Sequence, residues 1–187
     1  MPFTFQVTPV LDVIVVQYGM FGDARGGFAE LFRNSEFAAA GLPTGFIQEN
    51  FSTSVQSVLR GLHYQKDPYA QGKLVMVLCG EIFDVAVDIR RGSPTYAKWA
   101  GETLSRENRR MLWIPPGFAH GFCVLSATAD VVYRVTGSEY TPAAERGIIW
   151  NDPEIRIAWP IEHPMLGVND SHHPRLANAD ANFTYGR

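Results

Sequence analysis

QGKLVMVLCGEIFDVAVDI, residues 71–89, decides the fold class. Residues 72–79 are a nearly continuous apolar run, Gly80-Glu81 offers a turn, and residues 82–89 return rich in valine. Short β-branched runs bounded by turn residues read as strands. Asp84 and Asp88 stand four apart and so share one face of the second strand. Working outward, further strands are expected at 13–16, 46–52, 58–65, 96–104, 110–114, 120–125 and 131–135. Strands at this density, divided by Gly and Pro, predict an all-β sandwich or barrel. One helix is expected over 36–40, capped by Asn34 or Ser35 and stopped by Gly41 and Pro43. The stretch from Pro160 is rich in Pro, Asn, Asp and His, and reads as irregular structure with at most a short helix. Helices do not alternate with strands, which excludes a parallel α/β sheet.

The bulk numbers narrow the function classes. The 187 residues fit one domain. A net charge of −3 gives no whole-chain case for nucleic acid or an acidic membrane. No apolar run approaches the ~20 residues of a membrane helix. The opening MPFTFQVTPV has no basic segment leading into an apolar one, so no signal peptide is read and a reducing, cytoplasmic location is expected. Cys79 and Cys123 lie in apolar runs and are expected to be buried thiols.

Five positions could carry chemistry. In Leu59-Arg60-Gly61-Leu62-His63-Tyr64-Gln65, a regular strand turns Arg60, Leu62 and Tyr64 one way and Gly61, His63 and Gln65 the other. Arg60 then points away from His63 unless a bulge intervenes. His63 alone reads equally as structural or functional. Lys73 enters a highly apolar strand, where an unpaired ammonium is costly. It either reaches solvent at the strand end or is held against an anion. His120 follows the rigid Pro115-Pro116-Gly117 turn, and is either a satisfied core histidine or a polar contact at a barrel mouth. Tyr133 amid valines reads first as packing, and Asp170 reads first as surface.

Together these pieces resemble the dTDP-4-dehydrorhamnose 3,5-epimerase family. The matching stretches are 23–30 (DARGGFAE), 48–50 (QEN), 58–65 (VLRGLHYQ), 71–96, 112–122 (LWIPPGFAHGF), 133–136 (YRVT), Tyr140-Thr141-Pro142 with Glu145, and 150–153 (WNDP). The resemblance implies a cupin-like jelly roll with few short helices, usually dimeric, acting on a dTDP-linked 4-keto-6-deoxyhexose at C3 and C5. It implies His63 as general base, Asp170 orienting it, Tyr133 as proton donor and Lys73 stabilising the enolate. Nucleotide contacts would fall on Arg25, Phe28, Glu30, Gln48, Asn50, Arg60, His120 and Glu145, with Tyr140 stacking on the thymine. Some N-terminal contacts would come from the partner chain. Three departures stand out: Asn169 where the family often has Lys, Gly27 before Phe28 where it often has two aromatics, and an extra residue in Gly137-Ser138-Glu139.

The chemistry suits these residue types. An imidazole, ordinarily near pKa ~6.5, suits removal of a proton beside a ketone. A carboxylate on its other nitrogen fixes the tautomer. A cation at the carbonyl oxygen stabilises the developing enolate. A phenol can protonate that enolate from the opposite face. No redox cofactor is needed, there is no Gly-rich dinucleotide loop, and no metal is expected. The rivals are a metal cupin using His63, His120 and a carboxylate, which lacks a His-x-His pair, a non-catalytic sugar-binding jelly roll, and a relative that epimerises C3 or C5 alone.

Overall fold

In a computed structural model, which describes residues 3–186, the apolar run of 71–89 forms two adjacent strands that end up in different sheets. In chain order the strands are β1 (Phe3–Val7), β2 (Ile14–Tyr18), β3 (Met20–Asp23), β4 (Gly26–Ala29), β5 (Gln48–Val55), β6 (Val58–Gln65), β7 (Gln71–Cys79) and β8 (Glu81–Asp88). There follow β9 (Trp99–Ser105), β10 (Arg110–Ile114), β11 (Phe118–Val124), β12 (Thr128–Gly137), β13 (Glu145–Gly147) and β14 (Met165–Leu166). One sheet has the order β1-β2-β10-β7-β12-β5, and the other β13-β6-β11-β8-β9 with β14 also pairing β6. Strands β3 and β4 form a separate hairpin. Apart from the parallel β14–β6 pair, the named strands pair antiparallel, and the two sheets face each other as a cupin-like jelly roll. No described helix is long and apolar enough to cross a membrane.

The core lies between the sheets. Val75 and Val77 of β7 and Val131 of β12 meet Ile82 and Ala86 of β8 and Phe118, Phe122 and Val124 of β11. Each outer face is covered by a different end of the chain. Phe3 and the helix α1 (Asn34–Ala39), through Phe37, cover Met76, Met111 and Trp113 of the first sheet. Ile148, Ile155, Leu176 and Phe183 cover Leu62, Val85 and Val87 of the second.

The expected strands are present, with ends displaced by a few residues. Two local expectations need correction. Helix α1 starts at Asn34 with Arg33 in the cap position and no side-chain cap bond. Arg33 is held there by ion pairs to Glu30 and Glu36. Cys123 is buried but Cys79 is exposed. The β7–β12 pairing skips Leu78 between Val77 and Cys79, so β7 leaves the covered region at its last two residues.

The most consequential irregularity is in β6. His120 pairs with His63 and Phe122 with Arg60, so Gly61 and Leu62 together oppose Gly121. This extra residue reverses the alternation, turning Arg60 and His63 to the same inner face. Backbones approach closely here. A methyl on Gly61 would stand 2.6 Å from Gly121 Cα and 2.7 Å from the His120 carbonyl oxygen, and the Gly61 φ is +124°. Gly61→Ala should therefore destabilise the fold by about 2–3 kcal/mol. Urea unfolding measures this, and an unchanged midpoint would contradict the bulge geometry.

Candidate active site

The inner faces that carry the core continue at one end of the barrel as polar residues. Lys73 extends the Val75–Val77 face of β7, Tyr133 the Ala129–Val131 face of β12, and His120 lies between Phe118 and Phe122 of β11. His63 and Gln65 reach this end from β6. A cavity of about 300 Å³ results, lined among others by His63, Lys73, Tyr133, Gln48, Asn50 and Glu145.

On the wall of the second sheet, His63 Nε2 lies 2.6 Å from Asp170 Oδ1, a bond between residues 107 apart in the chain. Asp170 Oδ2 accepts a longer bond, 3.4 Å, from the Gly61 N–H. Burial alone would raise the Asp170 carboxyl. The hydrogen bond and charge of His63, with help from Gly61 and His173, outweigh it and hold the group below the ordinary carboxylate range. Deeper in the barrel, His120 Nε2 lies 2.7 Å from Oδ1 of the fully buried Asp84. Burial pushes the His120 pKa down against the opposing influence of Asp84.

The first sheet supplies the facing groups. Burial pushes the Lys73 ammonium down to about 8, although Asp84 and Glu145 pull the other way. Its Nζ stands 5.8 Å from the centroid of the Tyr133 ring. Burial raises the Tyr133 phenol, with Arg60 opposing and Glu145 reinforcing, so it holds its proton at neutral pH.

Tyr140 stands half-exposed at the cavity mouth, its hydroxyl donating to Glu145 at 2.7 Å. Three glutamines pin the loop that carries it. Gln71 donates to the Ser138 carbonyl at 2.8 Å, and Gln65 donates to Glu139 and accepts from the Thr141 N–H. Gln48 accepts from the Tyr140 N–H at 2.8 Å and donates to Asn50. Residues 137–141 thus form a tethered loop.

Not every expected residue lies here. Arg60 bonds Ser54 Oγ and lines an adjoining cavity of about 740 Å³ with His63, Asn169, Asp170 and His173. Arg25 and Phe28 sit on the β3–β4 hairpin, lining a separate depression, and Glu30 is paired with Arg33. None of these three lines the main cavity. Asp84, Gln65, Gln71 and His173 were not singled out as site residues from the sequence. Asp84 carried a usable signal, since a carboxylate in a valine-rich strand demands a buried partner.

His63, Asp170 and His173 place ligand-type atoms within 4.8 Å of one another. Two donors on one tetrahedral zinc stand about 3.4 Å apart, given bonds of about 2.0–2.1 Å. The 2.6 Å between His63 and Asp170 is instead a hydrogen bond. His63 and His120 each have their own carboxylate, so they do not converge on one as a facial triad would.

A jelly roll with a carboxylate-backed imidazole on one sheet, and a protonated phenol and an ammonium on the other, has the groups that taking up and returning a proton requires. A family model described as dTDP-4-dehydrorhamnose 3,5-epimerase matches residues 7–178. The chain is 52% identical over 174 residues to dTDP-4-dehydrorhamnose 3,5-epimerase of Shigella flexneri, covering 92% of this chain and 96% of that one. It is 52% identical to that of Pseudomonas aeruginosa, covering 90% and 93%. The 3,5-epimerase of Legionella pneumophila, solved in complex with dTDP-4-keto-L-rhamnose, superposes with a TM-score of 0.90 at 45% identity, covering 94% of each chain. This chain belongs to the dTDP-4-dehydrorhamnose 3,5-epimerase family.

Lys73 is one of only three lysines. In ¹³C NMR of the reductively methylated protein, one lysine missing from Lys73→Met should titrate near pH 8. A Lys73 signal at the ordinary lysine value of about 10.4 would contradict its burial.

Proposed function

We propose that this chain is a dTDP-4-dehydrorhamnose 3,5-epimerase, converting dTDP-4-dehydro-6-deoxy-D-glucose to dTDP-4-dehydro-L-rhamnose. The observation that carries the reading is the His63–Asp170 pair on one sheet opposite Tyr133 and Lys73 on the other. Asp170 accepts the Nε2 proton, which leaves the His63 Nδ1 lone pair free for a C–H proton beside the C4 ketone. The electron pair moves onto the carbonyl oxygen, where the Lys73 ammonium stabilises the enolate. The Tyr133 phenol returns a proton to the opposite face of the carbon. His63 then releases its proton to solvent, Tyr133 recovers one, and the second carbon follows.

The rest of the site suits a sugar nucleotide. Gln48, Asn50 and Glu145 offer polar contacts around the cavity, and Arg60 offers a fork-shaped donor for the diphosphate next door. The Tyr140 ring at the mouth is placed to stack on the thymine. No step calls on a metal or redox cofactor.

We also infer a homodimer. Phe21 and Phe28 of the hairpin are 67% and 70% exposed, and the edge strand β5 presents Phe51 at 63%. Apolar surface of this kind fits a partner copy. In the dimer the hairpin would carry Arg25, Phe28 and Glu30 to the partner's cavity, which explains why they lie apart from their own. The free thiols of Cys79 and Cys123 suit a reducing cytoplasm.

In D₂O, NMR of the sugar protons should show loss of both the C3 and C5 signals as the rhamnose-configured ketone forms. His63→Ala should slow exchange by at least 10²-fold, whereas Tyr133→Phe should retain exchange but lose the correct product. Exchange at one carbon alone would reassign the chain as a 3- or 5-epimerase, and wild-type turnover by His63→Ala would sink the mechanism. Sedimentation equilibrium should give twice the chain mass of 20.8 kDa. A monomer at micromolar concentration would remove the case for a shared site.

A further inference from the structure

The mechanism above makes no use of His173, whose ring lies beside the base–carboxylate pair. We propose that His173 is a positioning residue that steadies the Asp170 carboxylate in the orientation holding His63, an inference that rests on reading His63 as the base. Asp170 Oδ1 faces two imidazoles, His63 Nε2 at 2.6 Å and His173 Nε2 at 3.5 Å. The two rings meet edge to face at 5.6 Å. The second oxygen has only the long bond from Gly61, so one short contact alone does not set the plane of the carboxylate.

His173 Nε2 is buried and has no hydrogen-bond partner among the described residues. A buried donor left unmade is costly, and Asp170 Oδ1 is the acceptor it faces. A closure of roughly half an ångström brings the pair into hydrogen-bond range. Burial and the nearby charge of His63 lower the His173 pKa, although Asp170 and Glu145 act the other way. A neutral ring carrying its proton on Nε2 steadies the carboxylate without cancelling its charge.

The fold makes room for this ring. Gly147 of β13 lies opposite His63 in the strand register. A methyl there would stand 2.3–2.4 Å from Nε2, Cδ2 and Cε1 of His173, so the ring rests on bare backbone. Anchors on either side fix its place. The Ser171 N–H donates to the Gly167 carbonyl, the Pro174 carbonyl accepts from Ile149 at 2.9 Å, and the Leu176 N–H donates to the buried Asp152 at 2.8 Å.

The test compares His173→Leu with His173→Gln, whose amide keeps a donor at similar reach. Both are checked for folding, for kcat and KM, and for the downfield NMR resonance of the His63–Asp170 proton in substrate-free protein. His173→Leu should lower kcat roughly tenfold with KM within twofold, and should shift or broaden that resonance. His173→Gln should recover most of both. If His173→Leu unfolds, His173→Asn, whose shorter amide falls short of Asp170, takes its place. Wild-type kcat and resonance in the Leu or Asn variant would overturn the proposal. So would equal loss in the Gln variant, which would assign the ring to packing alone. The resonance requires no turnover, so absence of epimerisation by the wild type would sink the functional reading while leaving His173 open to this test.

Discussion

An even alternation along β6 would send Arg60 and His63 to opposite faces. The extra residue at Gly61–Leu62, opposite Gly121, is what turns both inward. The close approach requires glycine on both strands, since a methyl on Gly121 would also stand 2.8 Å from the Arg60 carbonyl oxygen. The same Gly61 offers its N–H to Asp170. One irregular step therefore sets the direction of His63, the direction of the neighbouring guanidinium, and part of the anchorage of the Asp170 carboxylate. The rest of the site is built around that step.

The site is otherwise a continuation of the core. The strand faces that bury Val75, Val131 and Phe122 carry Lys73, Tyr133 and His120 two residues further on. This placement explains the electrostatics. Polar groups at the end of an apolar barrel are desolvated, which lowers the Lys73 ammonium to about 8 and raises the Tyr133 phenol. Desolvation thus keeps the Tyr133 phenol protonated. It also gives the ammonium its strongest influence on any negative charge that develops in the cavity, because little water screens the interaction. At Asp170 the 2.6 Å bond to His63 outweighs desolvation, whereas at His120 burial prevails over the 2.7 Å bond to Asp84.

These physical features determine how much was legible in the sequence. The strands of the two sheets announce themselves through β-branched runs and Gly-Pro breaks, and all seven strands expected outside 71–89 are present within a few residues. The β3–β4 hairpin does not, because its exposed Gly-Gly-Phe-Ala has no buried alternate face to leave a pattern. Arg60 and His63 could be recognised as incompatible in a regular strand, but the bulge that reconciles them depends on β11. Cys79 looked buried because it ends an apolar run, and only the skipped pairing at Leu78 shows otherwise. His173 gave no signal at all. Its meaning comes from Gly147 and Asp170, which the fold brings to it.

The His63–Asp170 bond joins a central strand to a segment with almost no regular structure, so the position of the carboxylate must be enforced by other means. The C-terminal segment supplies them as a series of anchors. Met165 and Leu166 add a parallel pairing to β6, the Met165 N–H donates to the Ser57 carbonyl at 2.7 Å, and Asp152 gathers the N–H groups of Glu154, Ile155 and Leu176. Leu176 and Phe183 then bury against the outer face of the second sheet. The covering that keeps this face dry is thus the same segment that carries Asp170 to His63. Docking it shields the sheet and completes the His63–Asp170 pair in one step, which ties the integrity of the site to the packing of the opposite face of the sheet.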